Sequence, residues 1–277
     1  MVCGTISISF LTCYAVSMKF RDANHFKSTT GYDIEALGWV PRVTSILDIK
    51  SKPALYHFYA SLNNFKEGEK IKQKSADEGT LVHETIQDIL TGKPRTIEKE
   101  IKPSIDAALA FVERHNIVID PEYIEKQLVN KEDRYAGTMD ALATIDGRLG
   151  VLDIKTSQAI YRDYDLQTAA YMAVLNKDLP NLATRWILRI DQHRICHKCG
   201  AALRAKGGRE KVRPPWDDNN INVWLRAKKC RHEWSEIVGD VELKESHNWE
   251  RDYEAFLGAK RLWEWENEDW LKEVEYI

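Results

Sequence analysis

The sequence predicts an α/β protein in which a mixed β-sheet is flanked by helices. Three observations lead there. Apolar residues recur at helical spacing in the first half of the chain, two alternating segments surround Asp146-Gly147, and a further helix and strand follow them. Asp-Gly between alternating apolar runs suits a two-residue hairpin loop, whose central positions both need positive φ. At 277 residues the chain can bury one substantial core, or one core carrying an insertion.

The elements follow in order. Residues 1–38 read as an N-terminal extension. Its first seventeen residues are apolar but lack the basic start of a secretory signal. Either they hold an early strand over 5–16, or Met18 rather than Met1 is the true start. Residues 19–50 look irregular, punctuated by Gly31, Gly38 and Pro41. Pro53 suits a first helical position and opens a helix to about residue 63. A second helix is expected from Gly68 to Leu90, stopped by Gly92 and Pro94, and a third over 103–115. Strands are expected over 122–129, 137–145 and 149–156, then a helix from Tyr164 to Leu175 and a strand from Ala183 to Ile190. An aromatic-rich helix over 248–272 carries Tyr253, Phe256, Leu257 and Trp263, which read as packing residues. No run reaches the ~18 apolar residues that a membrane-spanning helix needs.

The hairpin places chemistry. With Asp146 and Gly147 as the loop, Asp140 falls opposite Asp153, on one face of the sheet. Two bare carboxylates there would repel by about 3 kcal/mol at an effective dielectric near 20. Lys155, two residues beyond Asp153, points to the same face. The arrangement reads as a divalent-metal site with a lysine beside it.

Around it, in order, stand Gly79-Thr80-Leu81-Val82-His83-Glu84, Gly137-Thr138-Met139-Asp140, Asp153-Ile154-Lys155-Thr156, and Gln167 with Tyr171 one helical turn later. This succession resembles the PD-(D/E)XK nuclease superfamily, in its RecB-like exonuclease branch with the phage-type, Cas4-like and mitochondrial genome-maintenance exonucleases. Pro41-Arg42-Val43-Thr44-Ser45-Ile46-Leu47 and Lys52-Pro53-Ala54-Leu55 are similar to the approach segment of those proteins. The resemblance spans residues 39–190, and more loosely the last helix.

It implies a PD-(D/E)XK, restriction-endonuclease-like core over 39–277 and a metal-dependent DNA exonuclease acting in replication, recombination or repair. Mg²⁺ or Mn²⁺ would be held by His83, Asp140, Asp153 and the backbone carbonyl of Ile154. Lys155 would hold or deprotonate the attacking water, and a nearby metal and a dry wall can lower a lysine pKa for that role. Gln167 and Tyr171 would contact substrate phosphate or brace Lys155, unless they are ordinary helix packing. Glu125 is either a carboxylate reaching the metal through water or an exposed strand residue. A flap-type endonuclease, a catalytically silent DNA-binding protein on the same fold, and a zinc-ribbon protein that recruits partners are the competing readings. Replication or recombination proteins are the partners such a role implies.

A second motif lies downstream. Cys196-His197-Lys198-Cys199-Gly200 resembles a zinc knuckle, and Cys230-Arg231-His232 supplies a second half. Thiolates with imidazole are the ligands zinc takes in closed structural sites. The ligands are thus Cys196, Cys199, Cys230 and His232, with His193 and His197 as competitors, or else the three cysteines are unrelated. Cas4-like relatives hold an iron–sulfur cluster on four cysteines. Here only Cys3 and Cys13 lie upstream, and Cys230 is followed by a histidine, so zinc is expected. This zinc-ribbon-like insertion, 192–237, includes a stiff Pro214-Pro215-Trp216 loop. Between Cys196 and His232 stand ten Lys or Arg against three Asp or Glu, a local net of +7 on a body carrying −10. A basic island on an acidic body is the footprint of a DNA contact, or a solvated lysine-rich insertion. Five cysteines, two of them in C-x-x-C, fit a reducing compartment. The cytoplasm is expected, including that of a host if the source is viral or a mobile element.

Overall fold

The computed structural model describes residues 20–215 and 221–277. The early strand over 5–16, Cys3, Cys13, the Met18 start and Trp216 lie outside those residues.

Residues 19–50, expected to be irregular, hold four short elements. Asp22 accepts the His25 N–H to open α1 (Ala23–Thr30), β1 (Gly31–Ile34) pairs with β2 (Gly38–Pro41), and α2 (Val43–Leu47) follows. No element is long enough to show a period. Their order comes from tertiary burial instead: Phe20, Phe26, Trp39, Val40, Val43 and Ile46 all sit in the main core. From Phe20 onward this segment is therefore part of the body rather than an appended extension.

Next come α3 (Pro53–Ala60), α4 (Phe65–Leu90) and α5 (Lys102–Arg114). α4 begins ahead of the expected Gly68 because Asn64 caps it, its side chain accepting the Glu67 N–H. The strand expected over 122–129 resolves into β3 (Val118–Ile119), a 3₁₀ turn (Pro121–Tyr123) and β4 (Lys126–Asn130). The strand expected over 137–145 breaks at Asp140. β5 (Tyr135–Met139) pairs with β4, whereas β6 (Ala141–Ile145) pairs with β3 and with β7 (Arg148–Lys155). The loop between β6 and β7 is the anticipated one, Asp146 at φ 51° and Gly147 at φ 74°. After α6 (Asp163–Leu175), β8 (Leu182–Ile195) runs parallel to β7. β9 (Ala202–Lys206), β10 (Arg209–Arg213) and α7 (Ile221–Lys228) follow. β11 (Val238–Ser246) then pairs antiparallel along β8 from His193 back to Arg185, which moves the insertion's start from 192 to Cys196. The last helix bends at Asn267, whose side chain donates to Trp263 O, into α8 (Trp249–Glu266) and α9 (Glu268–Glu273).

The result is a mixed sheet, β11-β8-β7-β6-β3, with the β9–β10 hairpin attached at the far end of β8. Alternation along the central strands divides two apolar layers. Leu142 and Val151 face α6, α8 and the N-terminal elements; Ala141, Leu152 and Ile154 face α4 and α5. Phe256 and Trp263 are buried in the first layer, with Tyr253 and Leu257 packed beside them, as packing residues should be. Among the described residues no helix is long and apolar enough to cross a membrane.

Candidate functional site

The break at Asp140 has a local cause. The β6–β7 ladder ends at Ala141 and Leu152, and one residue beyond it Asp140 Oδ2 accepts the Ile154 N–H at 2.6 Å. The carboxylate thus replaces a ladder carbonyl and stays at the sheet end. On β7, Asp153 and Lys155 share the face of Val151, the α6 side, as alternation predicts. It is the Ile154 N–H that meets Asp140, and the Ile154 side chain packs toward α4 and α5.

α4 brings His83 to the same end. Its Nε2 lies 3.1 Å from Asp140 Oδ2, and its Nδ1 lies 3.9 Å from Glu125 Oε1. Glu125 precedes β4 at φ 49°, in the left-handed region, with its N–H bonded to Asp140 O at 3.0 Å. One ligand atom from each of His83, Glu125 and Asp140 lies within 4.8 Å of the others, close enough for a single ion. Asp153 is not in that group. Asp140 thus stands with His83 and Glu125, while Asp153 pairs with Lys155. The Lys155 ammonium donates to Asp153 Oδ1 at 2.7 Å and lies 2.6 Å from Oδ2, which receives no hydrogen bond although it is buried. Glu125 is the ligand candidate that strand periodicity undervalued, because it stands in a turn.

The charges respond to this crowding. Burial pushes the Asp153 carboxyl up to about 7, the Asp140 charge adds to the rise, and Lys155 opposes it. Burial also resists ionisation of Asp140, but His83, Lys155 and the Ile154 N–H outweigh it and hold Asp140 below its ordinary value. For His83 burial favours the neutral ring, yet the hydrogen bond and charge of Asp140, with Glu125, raise its pKa. Lys155 is the correction. Burial lowers an ammonium's pKa, but Asp153 and Asp140 more than restore it, so the lysine sits above its usual value and remains charged. Its ammonium also lies 5.1 Å from the centre of the Tyr164 ring. Held as a cation against Asp153, Lys155 suits an electrostatic role.

Two cavities open beside the centre. One, of about 550 Å³, is bordered by Tyr32, Arg42, His83, Glu125, Asp140 and Tyr171; the other, of about 580 Å³, by Lys50, Lys52, Lys155 and Tyr164. Gln167 borders both, and its Nε2 donates to Tyr171 Oη at 3.2 Å, so the two braced each other rather than Lys155. Burial keeps the Tyr171 hydroxyl protonated, well above the ordinary tyrosine value. Arg42 places its guanidinium over the Tyr32 ring at 4.6 Å and keeps a buried Nε without a hydrogen-bond partner. The sequence marked Arg42 only as part of an approach segment; its unsatisfied donor is visible only in three dimensions.

The cysteine motif closes on itself. Ligand atoms of Cys196, Cys199, Cys230 and His232 all lie within 4.8 Å of one another, with Cys196 Sγ 3.9 Å from Cys230 Sγ and Cys199 Sγ 3.5 Å from His232 Nδ1. These four can hold a metal ion such as zinc. His193 stands instead near Asp240, and His197 is exposed. Burial disfavours the Cys196 thiolate, but backbone N–H groups and His232 draw its pKa down to about 5, while burial and the two neighbouring sulfurs push Cys230 up to about 11. Thiols forced that far apart in ionisation are what a shared cation relieves. The chain matches no protein-family model and no curated protein.

Proposed function

We propose that this protein is a metal-dependent deoxyribonuclease of the PD-(D/E)XK type, in the RecB-like branch, acting on DNA ends as an exonuclease. The observation that carries the reading is the His83, Glu125 and Asp140 donor set at the end of a strand pair whose next carboxylate, Asp153, is salt-bridged to Lys155. Hard oxygen donors with one imidazole suit Mg²⁺ or, somewhat better, Mn²⁺. Asp153 Oδ2, buried beside the Lys155 ammonium and without a hydrogen bond, is a further candidate acceptor. A divalent ion held there would supply Lewis acidity toward a phosphate oxygen and acidify a water.

The chain's own groups do the rest. Lys155 stays cationic, positions a water and offsets negative charge that builds on the phosphate. Asp153 holds the Lys155 ammonium in place. Arg42 borders the cavity and offers its guanidinium to a substrate phosphate oxygen, and the Tyr171 hydroxyl and Gln167 amide shape the wall of the same cavity. Zinc on Cys196, Cys199, Cys230 and His232 is the structural ion of the insertion. The insertion's cations contact DNA phosphates: burial and the neighbouring Arg213, Arg209 and Arg204 already depress the Lys211 pKa, a like-charge crowding that a polyanion relieves.

The test is digestion of end-labelled linear DNA and of closed circles with Mg²⁺ or Mn²⁺. Linear DNA should be degraded from its ends, with Lys155→Ala losing hydrolysis while still binding DNA. Ready cutting of circles would favour the endonuclease reading, and equal activity of the two proteins would remove Lys155 from the mechanism.

A further inference from the structure

The β9–β10 hairpin grows out of the cysteine site. It follows Cys199 directly, and β9 pairs with the last residues of β8, Arg194 with Leu203 and Ile195 with Ala202. From there it reaches back to the hydrolytic centre. Lys206 Nζ and Arg204 Nη2 both donate to the carbonyl of Thr156, the residue after Lys155. The β7–β8 ladder ends at Lys155 and Arg189, so that carbonyl lies one residue past the ladder and takes its donors from the hairpin. At the hairpin tip the Gly207 N–H donates to Glu78 Oε2 at 2.9 Å. The fit there is close: a Cβ on Gly207 would lie 2.5 Å from Ile71 O and 2.1 Å from Ser75 Oγ, both on α4. Glu78 stands beside Gly79, one helical turn before His83, and a Cβ on Gly79 would lie 2.5 Å from Thr156 Oγ1.

One tongue therefore ties three places together: the cysteine site, the end of the strand that carries Lys155, and the turn of α4 that leads to His83. Its anchorage at the first of these is thin in apolar terms. Among the described residues the buried cluster around the site is Cys196, Ala201 and Ala227, with Cys199, Cys230 and Trp234 partly buried against it. Segments near ~40 residues with so small a core hold their shape through a metal or a disulfide.

We propose that the cysteine-site metal controls the hydrolytic centre from a distance, by holding the β9–β10 tongue as a strut between β7 and α4, with Lys206 as its positioning residue. This rests on the hydrolase reading above. No atom of the strut needs to touch substrate; it sets the separation of Lys155 from His83.

The experiment compares the full-length zinc-loaded wild type with Gly207→Ala, Lys206→Met and Lys206→Arg, none of which alters a cysteine ligand, and with protein stripped of zinc by a chelator and then given excess Mn²⁺. The readouts are kcat and KM on a short labelled DNA, and Mn²⁺ affinity without DNA. Gly207→Ala, Lys206→Met and the stripped protein should lose kcat by roughly a hundredfold, the scale of a 1 Å misplacement, with KM little changed and Mn²⁺ bound more weakly. Lys206→Arg should restore most of kcat, because it keeps a cationic donor for Thr156. Unchanged kcat and Mn²⁺ affinity in Gly207→Ala and Lys206→Met, or a rise in KM alone, would overturn the strut and leave the module as a substrate grip. A wild type that neither hydrolyses DNA nor binds Mn²⁺ would instead refute the hydrolase reading itself.

Discussion

Loading the zinc-bound protein with Mn²⁺ at pH 7 should expel close to one proton. Asp153, pushed up to about 7, holds roughly half a proton at that pH. His83, raised above its ordinary value, holds more than the roughly one quarter that a free imidazole keeps at pH 7. A cation at His83, Glu125 and Asp140 requires the neutral ring and favours every nearby carboxylate in its charged form. Release is therefore at least roughly three quarters of a proton at pH 7 and at least roughly one and two thirds at pH 6. By linkage the Mn²⁺ affinity should climb about tenfold or more between those two pH values. Calorimetric titration in buffers of different ionisation enthalpy measures the number directly. Asp153→Asn should lower it by about half a proton, since the amide has none to give. Release near zero at pH 7, or release that ignores Asp153→Asn, would refute the electrostatic account of the centre.

Three further outcomes follow from the same geometry. Without divalent ion the fold should melt at a higher temperature at pH 5.5 than at pH 8. The His83 contribution, from a raised pKa, is present below about 6.5 and fades as pH passes its folded value, while the Asp153 penalty appears between about 3.8 and 7. A melting temperature that rises with pH across that window would contradict both signs. Gly79→Ala gains about 1 kcal/mol of helix propensity but meets Thr156 Oγ1 at 2.5 Å, an overpacking that costs about 1–3 kcal/mol. Unfolding in urea should show a small loss of stability, and hydrolysis should fall further than stability because His83 rides on that helix. Arg185, 1% exposed, donates to Asp165 O and His247 O and pairs with Asp252, joining β8 to α6 and α8. Arg185→Ala leaves those partners behind and should cost about 3–5 kcal/mol in the same assay.

The parts of this architecture that were legible in the sequence are those with a local cause. Asp146-Gly147 demanded positive φ at both positions, and from that turn alone the β6–β7 register followed, with Asp140 one step beyond its last pair. The four-residue spacing of Gln167 and Tyr171 placed both on one face of α6, where they hydrogen-bond. Cys196, Cys199, Cys230 and His232 converge as ligand chemistry suggests. What stayed hidden depends on distant contacts. The N-terminal elements are ordered by Phe26, Trp39 and Trp263 meeting in the core. β11 went unseen because charged residues interrupt it: Glu242 and Asp240 pair with Arg189 of β8, a partner that no local pattern announces. Glu125 stood open between a metal carboxylate and an exposed strand residue, because strand alternation says nothing of the left-handed turn position it occupies.

That last point changes the physical picture of the centre. Three carboxylates, Glu125, Asp140 and Asp153, converge on it against two basic groups, His83 and Lys155. Burial raises the pKa of Glu125 as well as that of Asp153, with Asp140 adding to both, so each resists carrying its full charge. The protein meets the excess by retaining protons on His83 and Asp153 and by fixing Lys155 against Asp153. A divalent cation takes the place of those protons: with the three carboxylates ionised, Lys155 charged and His83 neutral, it brings the local charge close to zero. Any anion would meet net negative charge there before that ion arrives and a nearly neutral, cation-centred site afterwards, so the donor set favours loading the cation ahead of an anionic ligand.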